Sequence, residues 1–231
     1  MPGKVPARAT RAAALLLGLG ALAYTAWLLE VLVRTGLDPV RTYVSELAAA
    51  DQPLGGLFRA TDLAAGLLVL AGALAGLAAT RRPRRHEPWA LGGWIALAVF
   101  GAATVADSRL PLSCAPTADP ECAARETAGL VPATHLAHAA SSSLAMTGAL
   151  AAMVALTVAA RRYGHWRPLA RTGPALVVLE LAATAWTLAA VAAFEAGKGT
   201  WSLGAGQRLQ VLLVAVWLAV LAVSLPPRRV R

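Results

Sequence analysis

Charge is what this sequence has least of. Of its 231 residues only 14% are Asp, Glu, Lys or Arg, whereas 58% are hydrophobic. A soluble domain of that length needs more polar surface than this to cover its core. Aromatic residues are also scarce, at 6%. The formal charge of +9 therefore lacks the basic, aromatic-studded face on which a nucleic acid is read. Histidine occurs four times, too rarely and in the wrong places for a haem held between facing helices. Cysteine occurs twice, too seldom for a thiolate metal knuckle. There is no HExxH string, no phosphate-cradling glycine loop and no internal repeat of convincing register.

What the chain has instead is long runs of Ala, Leu and Val. A bilayer core takes about 20 apolar residues per helix. Six runs meet that need: Ala12–Val33, Thr61–Ala79, Trp89–Ala106, Thr134–Ala160, Leu169–Phe194 and Leu209–Leu225. They nearly use up the chain, so the fold class expected is an all-α polytopic bundle, one integral-membrane domain over residues 1–231. The first run follows Lys4, Arg8 and Arg11 and contains Ala21-Leu22-Ala23, as a secretory signal might. A signal's apolar region is about 7–15 residues long. This run continues to Val33, broken only by Glu30, and reads as a retained helix.

Charge also orients the bundle. The amino terminus, the second and fourth connections and the tail hold 14 basic residues against one acid, Glu87. Among them are Arg81, Arg82, Arg84, Arg85, Arg161, Arg162, Arg167, Arg171, Arg228, Arg229 and Arg231. The other connections, 34–60, 107–133 and 195–208, hold seven basic residues and, with the adjoining helix ends, ten of the twelve acids. Positive segments stay in the cytoplasm, so both termini are expected inside and those three connections outside. Cys114 and Cys122, eight positions apart in one outer connection, are expected to pair as a disulfide. The Ala-, Arg- and Leu-rich composition suggests a bacterial inner (cytoplasmic) membrane.

Two outer segments exceed simple turns. Asp38 to Leu47 reads as a short helix, with Asp38 as N-cap, Pro39 first in the helix, and Val40, Tyr43, Val44 and Leu47 as an apolar stripe. Asp107 to Pro132 is long enough to be functional. Within the spans, Gly72 and Gly76 form a small-xxx-small pair suited to close packing, inside the chain or against a second copy.

Ionisable groups in a membrane are functional hypotheses by default. The outer helix ends gather Glu30, Asp62, Asp107, His135, His138, Gln207 and Arg208, with Glu46 from the short helix. His135 and His138 are three apart, so both rings can share a helix face, and Ser142 lies four beyond His138. Two readings follow. His135, His138 and a carboxylate such as Asp107 or Glu46 form a zinc ligand set with an open position, and that zinc activates water. Alternatively, one His serves as general base for a serine nucleophile. The plain reading is that both His bond loop carbonyls or sit at headgroup level. Glu180 falls near the bilayer middle, nine residues from Arg171, and is either a protonated structural acid or part of a pathway.

The string Asp38-Pro39 through Val44-Ser45-Glu46-Leu47 resembles the outer-loop signature of the DUF998 family of bacterial membrane proteins. Asp107-Ser108-Arg109-Leu110-Pro111 with Cys114 and Cys122, followed by His135, His138 and Ser141-Ser142, resembles it as well. The resemblance covers the whole chain and implies that these outer residues belong together; it implies no activity. A more distant similarity is to membrane hydrolases of the alkaline ceramidase and adiponectin-receptor type, from which the chain departs in having six helices and HxxH. The function expected is metal-dependent hydrolysis of a lipid or lipid-linked substrate, with Glu46, Asp107 and Ser142 at the reaction and membrane lipids as partners. The alternatives are a non-catalytic headgroup-binding or scaffold protein and, more remotely, a small transporter using Glu180. The oligomeric state is not legible in the sequence.

Overall fold

A computed structural model describes residues 4–80 and 87–225, all helix or irregular chain. Arg81, Arg82, Arg84, Arg85 and His86 lie outside the described residues, as do Arg228, Arg229 and Arg231. The helices are α1 Lys4–Tyr24, α2 Gly55–Thr80, α3 Pro88–Asp107, α4 Pro120–Thr127, α5 Ala133–Tyr163, α6 Arg167–Glu195 and α7 Leu203–Ser224. Two short 3-10 helices, Ala26–Val31 and Val44–Ala48, lie between α1 and α2. Six helices are long and apolar enough to cross a membrane, at the six places expected. The bounds shift where polar residues extend a helix. The second begins at Gly55 and the last at Leu203, so Gln207 and Arg208 stand inside α7.

Contacts order the six spans as a closed ring: α1 on α2, α2 on α3, α3 on α5, α5 on α6, α6 on α7, and α7 back on α1. Its centre is filled by Trp94, Trp217, Phe100, Leu17, Leu97, Met153, Leu156 and Leu218, none more than 1% exposed. Burial is uneven: 56% of the apolar window is buried in α7 but only 22% in α1 and α6. These two helices therefore present most of their Leu and Val outward. Leu15, Leu22, Val178 and Leu188 are each at least 64% exposed. In water such a surface aggregates; in a bilayer it is the contact with lipid.

Small residues set the spacing of the ring. A Cβ on Gly101 would stand 2.5 Å from the Leu70 backbone nitrogen, and one on Gly148 would stand 2.9 Å from that of Phe100. Gly72 and Gly76 are buried against Leu17 and Trp94, so the pair packs inside the chain. Without a hydrophobic drive between helices in lipid, such close approach is a main source of association.

The chain from 34 to 54 and from 108 to 132 covers one end of the ring. Here one expectation fails. Asp38 Oδ1 accepts from the Val40 amide at 2.8 Å, as a cap should, but the turn stops at Thr42 and no α-helix follows. Tyr43 is extended, and the 3-10 helix begins at Val44. The reason is tertiary. The Val44 amide donates to Gln207 Oε1 at 2.8 Å, and the Thr42 carbonyl accepts from Arg208 Nη1 at 2.8 Å. Both groups would otherwise be held within a helix. The second covering segment contains α4, capped by Asp119 Oδ1 accepting from Glu121 N at 2.9 Å. Cys114 and Cys122 form the expected disulfide, Cα atoms 6.0 Å apart, and tie α4 to the chain before it.

Replacing Gly101 with Ala forces α2 and α3 apart against backbone and is expected to cost about 1–3 kcal/mol of stability in detergent. Gly92→Ala, with nothing within 4 Å, is expected to be neutral or slightly stabilising. Unfolding of the two variants beside the wild type checks both; equal midpoints for Gly101→Ala and the wild type would refute the packing role.

Candidate functional site

The covered end of the ring collects the acids and histidines that the sequence put there. α5 begins after Pro132, and its first turns carry His135, His138, Ser141 and Ser142. The two rings do not share a target. His135 Nδ1 lies 3.0 Å from the Ser113 amide and 2.8 Å from Ser113 Oγ. An amide can only donate, so Nδ1 is the unprotonated nitrogen. Nε2 then faces Glu126 Oε1 at 3.4 Å, an ion-pair distance without hydrogen-bond geometry. His135 thus fastens the disulfide segment to α5.

His138 turns the other way. Its Nδ1 is 2.9 Å from the Leu110 carbonyl and 3.1 Å from Asp107 Oδ1. A carbonyl only accepts, so Nδ1 carries the proton and Nε2 is free to accept. Ser142 Oγ sits 3.2 Å from that Nε2, one helical turn away, and 3.0 Å from each oxygen of Asp107. Ser141 Oγ also donates to Asp107 Oδ1. Asp107, His138 and Ser142 form one connected unit.

The zinc ligand set expected from the sequence does not assemble. Among the described residues no three His, Cys, Asp or Glu side chains converge as a metal requires. His135 spends its nitrogens on the covering segment, and only His138 meets Asp107. Glu46 is likewise elsewhere. It is wholly buried, and its oxygens accept from the Thr117 amide at 2.7 Å and Thr117 Oγ1 at 2.5 Å. It secures the covering segment and lines no part of the cavity described next.

Beside Ser142 lies a cavity of about 130 Å³. Asp62, Thr104, Asp107, Ser142, Gln207 and Gln210 line it, and Tyr24, Trp27 and Phe58 add aromatic surface. Several of these escaped the sequence reading. Tyr24, Trp27 and Phe58 near helix ends look like ordinary interfacial aromatics. Asp62 looks like a solvated helix-end acid. What sets it apart, the lack of a partner among the described residues, is visible only in three dimensions.

Glu30, the other helix-end acid, has a partner. Its oxygens accept from Arg208 Nε at 2.6 Å and Nη2 at 2.7 Å, both side chains under 10% exposed. Glu180 is buried between α6 and α7, with Gln210 Nε2 at 3.5 Å from one oxygen and nothing on the other. At the opposite end, His165 stays half exposed and meets Glu87 at 3.2 Å.

Six helices of lipid-crossing length and hydropathy mark a multi-pass membrane protein. More specifically, the chain belongs to the DUF998 family, whose model, described as a protein of unknown function, matches residues 7–224. No curated protein and no solved structure matches it.

Burial pushes the Glu46 carboxyl from an ordinary value near 4.5 up to about 7, against the lowering pull of the Thr117 hydrogen bonds and the Arg208 charge. A raised acid favours folding while protonated, so its contribution is full below about 4.5 and is lost as pH rises through about 7. Melting of the wild type is therefore expected to fall relative to Glu46→Gln between those limits, by of order 2–3 kcal/mol. A constant difference between the two across that range would refute this.

Proposed function

We propose that the protein is a membrane-embedded hydrolase that uses Ser142 as nucleophile, His138 as general base and Asp107 to orient and stabilise His138. The observation that carries this reading is the chain of contacts from Ser142 Oγ to His138 Nε2 at 3.2 Å and from Nδ1 to Asp107 Oδ1 at 3.1 Å, on the wall of a cavity. A serine hydroxyl is a weak nucleophile until a neighbouring base takes its proton. Here Nε2 takes that proton as Oγ adds to an acyl carbon. Asp107 offsets the charge of the imidazolium so formed. The same proton then passes to the leaving oxygen, and water, deprotonated by His138, releases the acyl group from Ser142. Two donors on the same cavity lining are assigned to the developing oxyanion. Gln207 spends its Oε1 on Val44 and keeps its amide nitrogen, and Trp27 Nε1 is buried with no partner.

The position of the site supports a substrate delivered by the bilayer, a lipid or lipid-linked ester. The arginine-rich segments at the other end support an outward-facing cavity in a bacterial inner membrane. Zinc does not enter the reaction so read, because the expected ligands point apart.

Purified protein in detergent is expected to be modified at Ser142 by an alkyl fluorophosphonate. Ser142→Ala abolishes labelling, and His138→Gln slows it by about 100-fold or more. Ser143→Ala, an exposed neighbour, leaves it unchanged. A well-folded wild type inert at Ser142, located by peptide mass, would overturn the reading in favour of a non-catalytic binding protein.

A further inference from the structure

We propose that the cavity is a binding site for an organic cation, a primary or quaternary ammonium group. The inference stands apart from the chemistry at Ser142. Its basis is an imbalance of charge. Asp62 lines the cavity and makes no hydrogen bond or ion pair among the described residues. The cations that could serve it are taken. Arg59, one turn earlier in α2, donates to the Ala48 and Ala49 carbonyls at 2.6 and 3.2 Å. Arg208 is held by Glu30. His138 faces Asp107, and its other nitrogen faces Ser142.

A second observation lies behind the wall. Glu180 is wholly buried, one of its oxygens has no partner, and it is reached through Gln210, which lines the cavity. Asp62 is half-buried, and a carboxylate partly withdrawn from water without a counter-charge is costly, a cost that a cation bound in the cavity removes.

The shape selects the kind of cation. The carboxylates do not converge as metal ligands, so a small divalent ion finds no chelate. They are spread around about 130 Å³ of space, with Tyr24, Trp27 and Phe58 among the lining. Aromatic walls with a few carboxylates are the surroundings in which ammonium groups are recognised. An anion is excluded by the same charges. The ammonium group belongs either to a phospholipid headgroup or to a free amine, and the test separates them.

The first measurement is calorimetric titration of the detergent-purified protein with choline and with its neutral carbon isostere, dimethylbutanol. Choline is expected to bind about tenfold or more tightly. Asp62→Asn is expected to remove that preference, while Asp38→Asn, on an exposed turn, retains it. Fluorophosphonate labelling of Ser142 is followed in the same samples, so failure of the hydrolase reading and failure of this one are read separately. If Asp62→Asn does not fold, the wild-type comparison of choline with dimethylbutanol decides. If neither compound binds, the protein is placed in nanodiscs of phosphatidylglycerol with and without phosphatidylcholine or phosphatidylethanolamine. Selective co-purification of the amine lipids then supports a headgroup as the source. Equal binding of the charged and neutral compounds, or no selectivity in either arm, would overturn the proposal.

Discussion

The bidentate pair between Arg208 and Glu30 is the contact on which the covered end of the molecule depends. It joins the beginning of the chain to its end across 178 residues. The same guanidinium also donates to the Thr42 and Gly204 carbonyls. One side chain thereby fixes three things together: the 3-10 turn that follows α1, the first covering segment and the first turns of α7. The pair is nearly dry, so removing either partner leaves an uncompensated charge, which costs far more than the intact pair contributes. Neighbouring Gln207 extends the grip to Val44. With these in place α7 closes on α1, and Gln207 and Gln210 take their places on the cavity lining.

Within that frame α5 divides its labour by helical phase. His135 and His138 are three positions apart, near enough to share a face but not a target. One ring serves the disulfide segment through Ser113, the other serves Asp107 and Ser142. The covering segment is therefore held by three separate side-chain anchors, Leu110 on His138, Ser113 on His135 and Thr117 on Glu46, while the disulfide braces it from within. Its backbone contributes the Ala50 to Leu112 bond. The site below is built on rigid helices, while its cover is assembled from individual bonds that can be perturbed one by one.

Much of this was legible in the chain. Apolar runs gave the six spans, because length and hydropathy are nearly sufficient for a helix that must satisfy its own backbone in lipid. The disulfide followed from two cysteines in one connection. The contact of Ser142 with His138 was within reach because i to i+4 spacing on a helix predicts it, whereas Asp107, on another helix, was only one of two candidate carboxylates. Pairing between distant segments was not legible. Glu30 gave no sign of Arg208, nor Glu46 of Thr117. The same blindness produced the misplaced helix at Asp38–Leu47, where cap and stripe were correct but bonds from α7 pull Thr42 and Val44 away. It also produced the zinc set, which assumed that neighbouring rings look the same way. Asp62 shows the converse, since its interest lies in what it does not touch.

The length of chain between Glu30 and Arg208 bears on how the protein is made. A ribosome delivers the acid early and its arginine only with the last helix. Asp107, His138 and Ser142 are complete once α5 has docked on α3, well before α7 exists. Through that interval the carboxylate of Glu30 has no arginine to pair with and must stay solvated at the edge of the bilayer. Closure of the ring by α7 is then the step that takes this charge out of water.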